Sequence, residues 1–268
     1  MKARIHPTAI VESGARLGDG VAVGPFCHIC AGVELAESVT LLSHVVVAGR
    51  TRIGARTIVH PFASIGAPAQ DLKAKGAAGA LVIGADCLIR EGVTLNAGTP
   101  AGGGETRIGD GCAFLAHSHV GHDCRLGDGV VLANQVLLGG HVRVGDHAAI
   151  GGASVVHQNV RIGAHAYIGG LSGLEGDLVP YGLAGGNRAH LFGLNLVGLQ
   201  RRGFSDARLT SLRAAFRLLF SDEAGQGVLA ERIERAAQDF AGDADVEALI
   251  VFLRAERERP LCAPRRRE

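Results

Sequence analysis

The chain has no tryptophan, two tyrosines and one methionine in 268 residues, and aromatics make up 4% of it. Large rings therefore do not fill a thick globular core, and small aliphatic side chains must pack the interior. No apolar run approaches the ~20 residues that span a bilayer. The opening Met-Lys-Ala-Arg-Ile-His-Pro-Thr also lacks the apolar stretch of a secretory signal. Charge of neither sign is in excess, the formal net being +1, which argues against a general nucleic-acid binder. The basic clusters come late, at Arg201-Arg202 and Arg265-Arg266-Arg267, and suit an acidic partner or a solvated tail. The six cysteines (27, 30, 87, 112, 124 and 262) are irregularly spaced, with Cys27-x-x-Cys30 a lone pair. Reduced thiols in a cytoplasmic protein are the expectation.

What is present is a period. An aliphatic residue recurs every six positions through Ile5, Val11, Leu17, Val23 and onward to Ile65, returns at Ile83, Ile89 and Leu95, and resumes from Ile108 to Leu174. Six is natural to neither an α-helix nor a simple alternating strand. It fits a short strand plus a corner, repeated as a solenoid whose coils bury aliphatics on one another. The 40 glycines often follow the periodic residue, as in Leu17-Gly18, Ile53-Gly54 and Leu126-Gly127, where a tight corner favours them.

The period divides the chain. Residues 1–180 are the solenoid, interrupted at about 67–81 and 100–106; 181–204 are a Gly- and Asn-rich connector; 205–268 are a small helical domain. In the last, Leu209, Leu212, Ala215, Phe216, Leu219 and Phe220 fall at helical spacing behind Ser205, a natural N-cap. A second helix is expected around Val228 to Ala237 and a third from Ala244 to Arg257. The two interruptions are where function tends to sit on a rigid scaffold. The glycine-rich one, Pro100 to Thr106, lacks the Gly-Lys-Ser/Thr of a phosphate-binding loop.

Histidine is dense at 117, 119, 122, 141, 147, 157 and 165. With about 18 residues per coil, His122, His141 and His157 (19 and 16 apart) lie near one edge on successive coils, with Asp123 beside the first. Histidine suits a general base near neutral pH.

Ala116-His-Ser-His-Val-Gly-His-Asp-Cys124, Leu138-Gly-Gly-His141, Val155-Val-His-Gln158, Gly186-Asn-Arg-Ala189 and Gly193 to Ser205, with its Arg201-Arg-Gly-Phe-Ser205, resemble the UDP-N-acetylglucosamine O-acyltransferase family. Gln70-Asp-Leu-Lys73, Ile89-Arg-Glu91 and Gly102-Gly-Gly104 match as well, so the resemblance is collinear over essentially the whole chain. It implies a mainly β fold, a left-handed parallel β-helix with a C-terminal α-helical domain, assembled as a homotrimer with sites between subunits. The implied reaction is the first step of lipid A synthesis. An (R)-3-hydroxyacyl chain passes from the acidic acyl carrier protein to the 3-hydroxyl of UDP-N-acetylglucosamine. No metal or cofactor is implied, because the thioester is already activated.

By the same resemblance His122 is the general base, Asp123 its orienting carboxylate, and the Gly140 N–H the oxyanion donor. Gln70, Asp71, Lys73, His119, His141, His157, Gln158, Asn195 and Arg201 would bind substrate, and Arg202 the carrier protein. Gly170 matches the position that limits acyl length, and a glycine there implies a deep pocket. The chain departs from the family at Ala74-Lys-Gly-Ala-Ala-Gly79, at Ala97 in place of an arginine, and at Val197 in place of an acid. Those departures leave open N-acylation of a 3-amino UDP-sugar. The N-acyltransferase of the same pathway normally carries an extra N-terminal domain, whereas this repeat begins at Ile5. A zinc γ-carbonic anhydrase would use the His-x4-His spacing of His117 and His122, but residues 75–90 lack the third histidine it needs. A purely structural solenoid would leave the histidine cluster without a role.

Overall fold

The computed structural model describes residues 2–73, 79–220 and 228–264. Arg265–Arg267, most of Ala74–Gly79 and the segment before Val228 lie outside these described residues.

Strands mostly two residues long alternate with four-residue corners, as at Arg16–Leu17, Ala22–Val23 and His28–Ile29. Each strand pairs in parallel with the one a coil later, Arg4 with Ala22 and Ile10 with His28, an interval of 18 residues. The strands stack into three faces of a prism, with eleven strands in the first, nine in the second and eight in the third among the described residues. The first face begins at Arg4–Ile5, the second at Ile10–Val11 and the third at Arg16–Leu17.

The second residue of each pair points inward. Leu41, Val59, Ile89, Phe114, Leu132 and Ile150 stack one per coil beneath the first face, none more than 1% exposed. This continuous column, aliphatic but for Phe114, is the core, and the low aromatic content follows from its narrow bore. Between faces the chain turns through a residue with left-handed backbone. His117, Asp123, His141, His147, Asn159 and His165 hold φ between 58 and 65° there. Asp, Asn and His tolerate that region better than most side chains.

The two interruptions lengthen single coils. Val59 pairs with Ile89 and Ile89 with Phe114, intervals of 30 and 25 against the usual 18, so these coils gain 12 and 7 residues.

Beyond Leu174 the expected connector is more ordered than its composition suggested. Gly182–Gly185 and His190–Leu194 form an antiparallel pair that extends the first face. A short helix α1 (Leu196–Arg201) follows, capped by Asn195. Then come α2 (Asp206–Phe220), α3 (Leu229–Asp239) and α4 (Ala244–Arg254). Helix α4 stops three residues before the expected Arg257, because Ala255 turns to extended backbone. Asp243 caps it by accepting from the N–H groups of Asp245 and Val246.

The helices close the open end of the prism. Arg208 forms a two-pronged ion pair with Asp245 at 2.7 and 2.8 Å, and its guanidinium lies 3.7 Å from the Phe204 ring centroid. Arg161 pairs with buried Asp177 at 2.8 Å and packs over Phe252 of α4. No helix among the described residues is long and apolar enough to cross a membrane.

Candidate active site

Counting coils sorts the histidines onto different edges. His122, His141 and His157 occupy successive corners between the second and third faces, at 121–124, 139–142 and 157–160. Both interruptions leave the same edge, one between Ala67 and Ala80, the other between Asn96 and Glu105. Loops and histidines thus converge on one line. His117 turns the corner between the first and second faces, a different edge from His122, so the His-x4-His pair does not converge on one ion. Cys27 and Cys30 likewise sit at opposite ends of the strand His28–Ile29, which dissolves the Cys-x-x-Cys motif. All six cysteines are free thiols.

At the shared edge His122 Nδ1 lies 2.8 Å from Asp123 Oδ2. The Asp123 side chain is fully buried, whereas His122 keeps 17% exposure and remains reachable. The glycine-rich loop covers the carboxylate. Thr99 donates its N–H to Asp123 Oδ1 at 2.9 Å and its hydroxyl to Oδ2 at 2.7 Å. Thr106 Oγ1 accepts the Asp123 N–H at 2.8 Å. A methyl group on Gly102 would lie 2.2 Å from the carboxylate. Burial pushes the Asp123 carboxyl up, but the hydrogen bonds from His122 and Thr99 outweigh it and hold it below the usual range.

The far nitrogen of His122 faces Gly140. A Cβ on Gly140 would stand 2.6 Å from His122 Nε2, so only glycine lets the ring and this backbone approach. His141 packs edge-on against His122 with ring centroids 5.0 Å apart, and its Nε2 is 3.9 Å from Asp123 Oδ2. His119, on the second face, bonds Thr94 Oγ1 at 2.7 Å, and burial lowers its pKa. His157 and Gln158 are exposed one coil further on, and Gln158 O accepts from Arg259 at 3.0 Å. Gln70, Asp71 and Lys73 lie at the start of the first loop, where Asp71 accepts the Lys73 N–H at 2.9 Å. Gln70 and Lys73 are exposed.

Four expected site residues lie elsewhere on the chain. Gly170 is exposed at the edge between the first and second faces. Asn195 donates to the His165 carbonyl at 3.0 Å and accepts from Gly198 N–H, beside the edge between the third and first faces. Arg202 donates to the His147 carbonyl at 2.9 Å on that same edge, and Arg201 ends α1 beside it, exposed. One chain alone does not bring them to His122.

Among the described residues two groups could bridge a cation: His122, Asp123 and His141, and separately Glu12, His28 and Cys30, each with donor atoms within 4.8 Å. Sequence reasoning missed Thr99, Thr106 and the role of Gly102. The glycine run hinted at a close approach, but nothing in it says which side chain the loop folds back upon.

Comparison with known proteins gives the same frame. A family described as "Udp N-acetylglucosamine O-acyltransferase; Domain 2" matches residues 177–262, and the bacterial transferase hexapeptide family matches 105–140. An acyl-[acyl-carrier-protein]--UDP-N-acetylglucosamine O-acyltransferase of Mesorhizobium japonicum is 54% identical, over 98% of this chain and 94% of its own. The chain belongs to the UDP-N-acetylglucosamine O-acyltransferase family. A Methylobacterium radiotolerans enzyme of the same name is 56% identical over 97% of the chain and 95% of its own. The solved UDP-N-acetylglucosamine acyltransferase from Campylobacter jejuni superposes with a TM-score of 0.91 at 36% identity, covering 98% of this chain and all of the other. The prism is the left-handed parallel β-helix of this family.

Proposed function

We propose that this chain transfers an (R)-3-hydroxyacyl group from acyl carrier protein to the 3-hydroxyl of UDP-N-acetylglucosamine, opening lipid A synthesis, with His122 as general base. The observation that carries the mechanism is the Asp123–His122–Gly140 line. Asp123 accepts from Nδ1–H and fixes the tautomer, leaving the Nε2 lone pair beside Gly140. Nε2 takes the proton of the sugar 3-hydroxyl as its oxygen bonds to the thioester carbon. The tetrahedral intermediate collapses, the C–S bond breaks, and the imidazolium returns the proton to the departing thiolate. The Gly140 N–H, which donates to no protein acceptor among the described residues, faces the developing oxyanion. Such a donor is worth about 3 kcal/mol.

His119, kept neutral by burial, His141, His157 and Gln158 line the approach for the acceptor, with Gln70, Asp71 and Lys73 at its rim. Asn195 and Arg201 serve the nucleotide from a second copy. The outward side chains support that assembly. On the second face Ile10, Val46, Leu137 and Val155 are 41–61% exposed, and at the edge it shares with the first face Phe26, Phe62 and Leu171 are 59–76% exposed. The third face instead presents Arg16, Glu34, Arg52, Arg107, Arg125, Arg143 and Arg161. A homotrimer that packs the first face of one copy on the second face of the next buries the apolar pair. It sets the His122 edge of one subunit against the Asn195 edge of its neighbour. Six free thiols fit the reducing cytoplasm.

The test is acyl transfer from a series of (R)-3-hydroxyacyl carrier proteins to UDP-N-acetylglucosamine and its 3-amino analogue, with His122→Ala as control. Transfer to the ordinary sugar that disappears in the variant is expected. Transfer to the amino analogue alone would overturn the acceptor, and a fully active variant would overturn the base.

A further inference from the structure

We infer that the arginine column on the third face, centred on Arg125 and Arg143, is where the acyl carrier protein docks. This rests on the acyl transfer proposed above and names the donor's seat, which Arg202 was expected to supply from another edge. Arg107, Arg125, Arg143 and Arg161 stand in direct register on four adjacent strands. Neighbouring strands lie about 4.8 Å apart, and like charges directly opposite one another are unfavourable. The two outer arginines are already neutralised, Arg107 by Glu105 at 3.0 Å and Arg161 by Asp177 at 2.8 Å. Among the described residues Arg125 and Arg143 form no ion pair, and both are exposed.

Their position ties them to the reaction. Arg125 follows Asp123 by two residues and Arg143 follows His141 by two. All four line one cleft of about 320 Å³. Glu256 and Glu258 line the same cleft, and neither is ion-paired to the arginines. A carrier protein presents an acidic surface and, between it and the thioester, a phosphodiester. Paired guanidinium forks recognise both carboxylates and phosphodiesters. A carrier seated on this solvent-facing sheet would thread its arm across the corner to His122, leaving the groove between subunits to the sugar nucleotide.

The experiment compares two donors, the acylated carrier protein and the acylated pantetheine that lacks phosphate and protein. The double variant Arg125→Ala/Arg143→Ala should raise KM for the carrier about tenfold and flatten the salt dependence of kcat/KM. Turnover with acyl-pantetheine, and KM for UDP-N-acetylglucosamine, should stay unchanged. Glu256→Gln/Glu258→Gln should move the carrier KM the opposite way. An unchanged carrier KM in the arginine variant overturns the inference. So does an equal loss with acyl-pantetheine, which would put the arginines at the reacting centre, or a raised KM for the sugar nucleotide, which would make them a diphosphate site. Absence of transfer by the unaltered enzyme from both donors would instead sink the proposed reaction.

Discussion

Thr99 holds both oxygens of the Asp123 carboxylate, one through its N–H and one through its hydroxyl. A buried carboxylate beside the imidazole proposed as general base stays ionised only while such donors satisfy it. Thr99→Val keeps the shape and the N–H but removes the hydroxyl. A hydrogen bond to a charged group contributes roughly 1.5–3 kcal/mol, so kcat should fall about tenfold or more while KM is little changed. Because Asp123 would lose a donor that lowers its pKa, the acid limb of the kcat/KM profile should move to higher pH. A loss of kcat with an unmoved profile would mean that Thr99 only shapes the loop.

Gly102→Ala tests the same contact from the loop side. The added methyl would meet the Asp123 carboxylate at 2.2 Å, so either the loop lifts or the carboxylate turns. Activity should fall at least as far as in Thr99→Val, with the thermal midpoint nearly unaltered, since the aliphatic column lies beneath other residues. Full activity would show that the loop gives way without cost.

His165 sets a pH dependence of stability rather than of catalysis. Burial, then the nearby charges of His147 and Arg202, push its pKa down to about 4, and its ring stacks on Tyr181. The unfolded chain protonates near 6.5. The contribution is therefore fully present above pH ~6.5 and is lost as pH falls toward the folded value. Thermal midpoints measured from pH 7.5 to 4 should decline less in His165→Phe than in the unaltered protein. Parallel curves would refute the assignment.

Phe62→Glu addresses assembly. Phe62 is 67% exposed and stacks on His44, which stacks in turn near Phe26. Three rings in a ladder at one edge, beside the exposed apolar side chains of the second face, are an interface signature. A carboxylate there should shift the mass measured by light scattering from the proposed trimer toward monomer, and activity should fall with it. A monodisperse trimer would place the interface elsewhere.

Much of this was legible in the residues, because a period of six constrains every coil. The inward register of Ile5 to Leu174, the helices behind Ser205 and Asp243, and the two loops follow from pattern and capping alone. The stacking of His122, His141 and His157 on one edge was also legible, from spacings of 19 and 16; that both loops leave from that same edge was not, since a spacing becomes an edge only once inserted residues are counted out of their coils. The pair His117 and His122 shows the difference: five residues apart in sequence, they are separated by a whole face. Thr99 was invisible for another reason, as nothing local tells a threonine that its partner lies 24 residues later.

The acyl chain supplies the last test. Gly170 sits at the edge between the first and second faces, next to Leu171, which is 76% exposed, and not beside His122 of its own chain. In a trimer packed first face on second, that edge runs toward the centre, where a long chain leaving the His122 edge would end. The backbone around Gly170 admits a side chain with a small adjustment: an added Cβ would press on the Gly152 carbonyl oxygen at 3.2 Å, and the Gly170 φ is not left-handed. Gly170→Met should therefore fold and assemble, yet fill the end of the pocket. Offered a mixture of acylated carriers, the variant should favour shorter chains, each excluded methylene being worth ~0.8 kcal/mol of lost burial. An unchanged length preference in a correctly assembled variant would mean that the chain ends before it reaches this edge.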